Sequence, residues 1–538
     1  MPYFRYLPSN QRLTHQMKKK KSISVKFLNV LLLATIIVMS VPSVAQQTIS
    51  LPRSNPEAEG VSSDSILHFL DAIGNTNNEF HSFMMLRHGK VVAEGWWDPY
   101  KPTLKHMMYS VSKSFTATAV GFAVTEKRIS VNDKVVSFFP ADLPDNVSSY
   151  LSSLTIKDLL TMSVGQDPDP TGPIGSNNDN WVAGFFRTPI LYQPGSRFLY
   201  NSAATYMLSA IVQKVTGQRV LDYLQPRLFS PLGISGIDWE VSPQKVNAGG
   251  WGLRLKTEDM AKFGQLFLQK GNWNGKQIIP SSWVEEASTK KIDQDPNASH
   301  ARRDSSDWLQ GYCYQMWRSR NNSYRGDGAF GQFIIVLPEK DAVVVITSET
   351  PNMQAEFNLV WKYLLPAFHD GKLPANADAQ ANLKKKIASL KLPLTVSTPS
   401  AIEKNISGKT FEITGEQKLF KSVGFEFKNG VCNLKLKNDT ADYSFAFGSG
   451  KWVVGETKKL GPSLTARMRA NRSEISSYKI AGSYSWKTDN TLELVLRYIE
   501  TPHTETIRCT FDGANLKMEF ESSFNKAVTS TLIGTTKN

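Results

Sequence analysis

The apolar positions of the chain fall into two regimes. Up to about residue 366, apolar runs at helical spacing are interleaved with short continuous apolar runs; beyond 400, short apolar strands alternate with polar turns. A helix is predicted around residues 63–73, followed by two strand-like runs, 83–87 and 91–97, joined at His88-Gly89-Lys90 as a hairpin. From Ser110 a helix of small and apolar residues continues to about 124, with the character of a segment buried inside a domain. Thr155-Ile156-Lys157-Asp158 opens a helix with a capping-type sequence, and Gln193-Pro194-Gly195 is a turn ahead of a helix over 203–215. Thr257-Glu258-Asp259-Met260 caps a helix over 261–270. The runs 332–337 and 342–348, separated by Pro338-Glu339-Lys340-Asp341, read as a buried hairpin, and a helix over 357–365 closes this part. In the last 138 residues the strands Phe425-Glu426-Phe427, Leu434-Lys435-Leu436, Tyr443-Ser444-Phe445 and 492–496 recur between turn signals such as Lys428-Asn429-Gly430. That pattern predicts a small antiparallel β-barrel or sandwich.

A chain of 538 residues is too long for one ordinary core, so two domains are expected. Residues 1–45 read as a leader: lysines at 18–21 and 26, an apolar stretch over 27–39, and the small-residue cleavage signal Ser43-Val44-Ala45. Met17, directly before the lysines, is the expected start, and cleavage is expected after Ala45. The apolar stretch is shorter than the ~20 residues needed to span a bilayer. Export to the periplasm or medium is therefore expected, with no stable membrane insertion once the leader is removed. The remaining division is 46–370 for the main domain, 371–400 for a linker rich in Lys, Ala, Pro and Ser with a short helix at 381–390, and 401–538 for the C-terminal β-domain. The leader holds seven of the Lys/Arg and no Asp or Glu, so half of the formal net charge of +14 lies there. What is left does not call for nucleic acid. Cys313, Cys432 and Cys509 form no CxxC or zinc pattern, which leaves a Cys432–Cys509 disulfide and buried free thiols both open.

The candidate chemistry starts at Ser110-Val111-Ser112-Lys113. Positions i and i+3 share a helix face, so Lys113 can reach back to the Ser110 hydroxyl, and a helix N-terminus favours an oxyanion there. Ser-x-x-Lys also begins at Ser242, Ser288, Ser476 and Ser523, and among the five matches Ser110 is the one that opens a long buried helix. Two further features follow in order, Tyr200-Asn201-Ser202 and Gly326-Asp327-Gly328-Ala329-Phe330-Gly331, together with the glycine-rich Ala248-Gly249-Gly250-Trp251-Gly252-Leu253. Over roughly residues 57–366 the sequence resembles the serine β-lactamase/penicillin-binding-protein superfamily, in particular class C β-lactamase-like esterases and amidases, including nylon-oligomer hydrolases.

That resemblance implies an α+β fold: an antiparallel sheet flanked by helices, with a helical subdomain carrying Tyr200. It implies that Lys113 and Tyr200 act as a coupled pair that activates Ser110 and then protonates the leaving group, with the phenol kept partly ionised by Lys113. It places the oxyanion on the backbone N–H groups of Ser110 and Ala329, and substrate contacts at Ser202, Asp327 and Gly328. The implied reaction is hydrolysis of a small-molecule or peptide-like ester or amide through an acyl-Ser110 intermediate, with no metal or organic cofactor. A β-lactamase or D,D-peptidase, and a catalytically inactive binding or sensor protein, are the alternatives.

The sequence departs from the superfamily at two motifs. Ser202 stands where many relatives have asparagine, and Gly326-Asp327-Gly328 where β-lactamases and penicillin-binding proteins have Lys-Thr-Gly. An Asp327 facing the pocket would repel a substrate carboxylate, which favours neutral or amine-bearing substrates. His106 reads as a satisfied structural histidine, and Trp96, Trp97 and Trp181 as core. No HExxH and no Gly-x-Ser-x-Gly is present. Residues 401–538 are expected to supply no catalytic group.

Overall fold

Period-two alternation along the central strands gives a sheet with two buried faces. In the strand Glu79–Arg87, Met84 and Leu86 enter one core while Phe83 and Met85 enter another. Ile334 and Val336 oppose Phe333 and Ile335 in the same way, and Val343 and Val345 oppose Val344 and Ile346. This computed structural model describes residues 50–176, 180–414, 419–468, 475 and 477–536. The expected leader, with its cleavage point at Ala45, and Ser476 lie outside the described residues.

Six strands form the sheet, in the order Lys90–Trp96, Glu79–Arg87, Ala342–Glu349, Gln332–Leu337, Ser323–Gly328, Trp317–Ser319, and every neighbouring pair is antiparallel. The first core lies between this sheet and the helices Ser112–Thr125, Ser202–Thr216 and Thr257–Leu268. The second lies under the helices Ser63–Gly74, Met353–Leu359 and Ala377–Ala388. Two expected helices begin differently. Ser110 sits in a 3-10 turn, Tyr109–Val111, ahead of the α-helix that starts at Ser112. Thr257 lies inside its helix, whose N-cap position is Lys256.

The C-terminal strands close into a barrel. From Thr410–Thr414 the antiparallel ladder runs one way through Ser422–Lys428, Val431–Lys437 and Asp442–Ser449. The other way it runs through Val528–Thr536, Asn515–Ser522, Thr504–Asp512, Thr491–Arg497 and Tyr478–Thr488. Gly448 and Ser449 pair in parallel with Ser483 and Tyr484, which closes a nine-strand ring, and Val453–Thr457 adds a tenth strand to Tyr478–Thr488. Closure removes the open edges a sandwich would leave. Cys432 and Cys509 are both buried in the barrel core as free thiols, as is Cys313 in the first core.

The barrel and the sheet-and-helix layers form one compact unit over the described residues. Arg497 holds Glu79 with two bonds, Nη1 to Oε1 at 2.5 Å and Nη2 to Oε2 at 2.9 Å. Burial works to raise the Glu79 carboxyl, and Arg497 together with His81 outweighs it, holding the group well below the carboxylate range. His81 continues to His106, Nδ1 to Nε2 at 3.0 Å, so His106 is a buried structural histidine. On another side Glu500 accepts from Arg254 Nη1 at 3.2 Å, and its carbonyl accepts from the Met107 N–H at 2.9 Å. Among the described residues no helix is long and apolar enough to cross a membrane.

Candidate active site

The Tyr109–Val111 turn and the first helical residues bring Ser110 and Lys113 together. Lys113 Nζ donates to Ser110 Oγ at 3.0 Å, to Ser202 Oγ at 2.9 Å and to the Gly250 carbonyl at 2.8 Å. Lys113 is buried, while Ser110 and Ser202 are partly exposed. Burial lowers the Lys113 ammonium to about 7, partly offset by the charges of Asp169 and Asp327. An amine that loses its proton near neutrality, within bonding distance of a hydroxyl, is equipped as a general base.

Each partner of Lys113 is fixed from behind. Asn201 caps the Ser202–Thr216 helix, its Oδ1 accepting from the Ala204 N–H at 3.0 Å, while its Nδ2 donates to Gln166 at 2.8 Å. Gln315, buried, ties this helix to the nucleophile helix: its Oε1 accepts from Thr205 and its carbonyl from Ser114. Gly250 admits no side chain without crowding, since a Cβ there would stand 3.2 Å from Ser202 and 3.4 Å from Lys113 Nζ. The Ala248–Leu253 segment thus supplies a carbonyl ligand to the lysine, and Leu253 N–H donates to Ser112 Oγ at 3.2 Å.

Tyr200 is in the site, with one correction. Lys113 Nζ stands over its ring, 4.7 Å from the centroid, and the ring stacks on Trp317 at 5.6 Å. Burial drives the phenol well above its ordinary value, and the hydrogen bond with Ser110 draws it back only in part. Burial thus works against the partial ionisation expected of this phenol.

Asp327 is the second correction. In the strand Ser323–Gly328, alternate residues face opposite ways. A Cβ on Gly326 would meet Val111 and Ser114, and one on Gly328 would come 2.3 Å from the Met108 carbonyl, so the glycines face the nucleophile turn. Arg325 and Asp327 share the other face, where Arg325 Nε donates to Asp327 Oδ2 at 2.9 Å, both residues being buried. The guanidinium is stacked between Trp308 and Phe357, 4.6 and 4.8 Å from their centroids. Asp327 is thus buried and paired with Arg325, not the open carboxylate expected. The i, i+2 spacing of Arg325 and Asp327 within a strand was a readable signal for this pair.

Ala329 follows Gly328 on the turn into Gln332–Leu337, and its carbonyl accepts from Gln332 Nε2 at 3.1 Å. Two bulky residues beside the site adopt left-handed backbone: Tyr109, before Ser110, at φ 43°, and Phe330, after Ala329, at φ 68°. Such conformations cost about 1–3 kcal/mol each and persist where surrounding contacts enforce them. The enforcing contacts come from the barrel, which sequence reasoning had left out of the site: Tyr109 Oη lies 2.5 Å from His503 Nε2. Trp97 and Trp181 are buried in the cores, and Trp96 donates to Thr257 at 3.3 Å.

The family profile described as "Beta-lactamase" matches residues 81–367. The 6-aminohexanoate-dimer hydrolase of Paenarthrobacter ureafaciens is 26% identical over 294 residues, 50% of this chain and 73% of that protein. A "Putative D-alanyl-D-alanine carboxypeptidase" of Escherichia coli is 29% identical over 161 residues, 27% of this chain and 36% of its own length. Among solved structures, a "Putative 6-aminohexanoate-dimer hydrolase from Bacillus anthracis" superposes with a TM-score of 0.51 at 23% identity, covering 61% of this chain and 90% of that one, a likeness of fold. The profile takes in Ser110, Lys113, Tyr200, Ser202 and the Gly326–Gly331 segment, and the chain belongs to the Beta-lactamase family.

Proposed function

We propose that the protein is an exported serine hydrolase that cleaves an ester or amide through an acyl-Ser110 intermediate. The observation that carries this reading is the buried Lys113 amine, lowered to about 7 and 3.0 Å from Ser110 Oγ. In acylation, neutral Lys113 takes the Ser110 proton as Oγ bonds to the substrate carbonyl carbon and the carbonyl electron pair moves onto oxygen. The N–H groups of Ser110 and Ala329 hold that oxyanion. Collapse breaks the bond to the leaving amine or alcohol, which receives the proton from Lys113, with the neutral Tyr200 hydroxyl as the relay beside Ser110. Water then attacks the acyl-enzyme with Lys113 again as base, and the acid leaves with Ser110 restored.

Similarity to the 6-aminohexanoate-dimer hydrolase supports a short amide as substrate. Gly326 supplies no cation where a lysine would bind a substrate carboxylate, and Asp327 is already paired, so recognition of the acyl group rests on neutral contacts. The basic and apolar stretches of the first 45 residues support export. A fluorophosphonate probe tests the reading: intact mass should rise by one group, and peptide mapping should place it on Ser110. Label on Ser112, or labelling of Ser110→Ala at the wild-type rate, would refute it. A panel of esters, short amides and β-lactams then ranks the substrate classes.

A further inference from the structure

We infer that His503, a barrel residue, is a positioning residue that holds the two turns of the oxyanion site in register by clamping Tyr109 on one side and Phe330 on the other. This rests on the acyl-Ser110 reading. His503 is fully buried, in the segment between the strands Thr491–Arg497 and Thr504–Asp512. Its Nδ1 lies 2.6 Å from Glu349 Oε1, which also accepts from Ser523 Oγ at 2.7 Å. With Nδ1 facing the Glu349 carboxyl, Nε2 is the ring nitrogen that meets the Tyr109 hydroxyl, at 2.5 Å. The Tyr109 oxygen in turn accepts from the Leu464 N–H at 3.3 Å. The contacts run from the barrel's Leu464 through Tyr109 and His503 to Glu349.

The same imidazole meets the other turn. Its ring stands edge-on to Phe330, centroids 4.8 Å apart at 89°, and Phe330 packs on Tyr109 at 5.6 Å and on Phe524 at 5.4 Å. Glu349 lies between Ser348 and Thr350, and both of these hold the Phe330 carbonyl, at 2.8 and 3.0 Å. The residue before Ser110 and the residue after Ala329 both have left-handed backbone, and one histidine from the other end of the chain touches both. Its job is geometric: it sets the directions of two N–H groups whose value appears as charge develops on the substrate oxygen.

The test uses the full chain and a neutral nitrophenyl ester, with fluorophosphonate labelling as a second readout. His503→Ala and Tyr109→Phe should each lower kcat and the labelling rate by about 10- to 100-fold with KM little changed. The double variant should be no worse than the worse single one, because both remove the same bond. His503→Gln, whose amide can still meet the Tyr109 hydroxyl, should recover part of the loss. A merely structural histidine would lower the melting temperature and leave turnover per folded molecule unchanged. If His503→Ala does not fold, Tyr109→Phe carries the test, since it keeps the ring packing. Wild type labelled at Ser110 with both variants labelled at the same rate overturns this inference while the hydrolase reading stands. Wild type left unlabelled overturns the hydrolase reading itself and this inference with it.

Discussion

Arg325 Nε lies 2.9 Å from Asp327 Oδ2, and both side chains are buried beneath Trp308 and Phe357. Removing one member of a buried ion pair leaves the other charge without compensation, at a cost of about 3–5 kcal/mol. Asp327→Asn is therefore expected to lower stability by an amount of that order, read from the urea midpoint. The ratio of anionic to neutral substrate turnover should stay as in the wild type. A stable variant with improved turnover of anionic substrates would show that Asp327 faces the substrate after all.

Lys113→Ala and Tyr200→Phe should each cut kcat by ~10²–10⁴-fold on a neutral ester, the usual worth of general acid–base assistance. The two groups serve one proton path through Ser110, so the double variant should be close to the worse single one. Losses that multiply would assign them separate roles. Steady-state kinetics on the four proteins decides.

The pH dependence follows from Lys113. Its folded-state value is lowered to about 7 by burial, and the neutral form is the base. Below that pH the amine is protonated and cannot accept the Ser110 proton, so kcat/KM should rise through about 7 and level off above it. Tyr200, pushed up by burial, should add no second limb within about two pH units of the Lys113 value in the free enzyme. A rate profile flat across pH 7 would remove Lys113 from the role of base.

Arg497 fixes the barrel to the sheet strand Glu79–Arg87 through Glu79. Arg497→Ala leaves Glu79 without its cation and is expected to cost about 3 kcal/mol. A chain ending near residue 366 removes this pair, the Glu500 contacts and His503 together. Such a truncation should be inactive even where it is soluble, contrary to what the sequence suggests. Full activity per folded molecule in the truncated chain would free the site of the barrel.

N-terminal sequencing of protein recovered from the periplasm or medium should begin at Gln46. Material retained in a membrane fraction with residues 27–39 intact would mean the leader serves as an anchor.

Much of the local structure was legible because its causes are local. Thr155 and Asp158 form the capping box their spacing announces, and the runs at 332–337 and 342–348 pair as the hairpin their apolar content and turn imply. Ser110 and Lys113 meet because a helical turn brings i and i+3 together. The barrel could not be told from a sandwich, because the distinction rests on Gly448 and Ser449 pairing in parallel with Ser483 and Tyr484 across a gap in the strand order. Nearness of a cation to Tyr200 is visible in a motif, but burial against Trp317 and Tyr312, which pushes the phenol up, is not. His503 had no signal at all, since 394 residues separate it from Tyr109.

The Glu79–Arg497 pair joins residues 418 positions apart, and this has a consequence in time. At ~5–20 residues added per second, the ribosome releases Arg497 roughly 20–80 s after Glu79. Through most of that interval a chain that already carries Ser110 and Lys113 lacks His503, the contact inferred to clamp its Tyr109 turn. On the acyl-Ser110 reading, a chain interrupted before His503 carries the Ser110–Lys113 motif without the barrel contact that holds its turn.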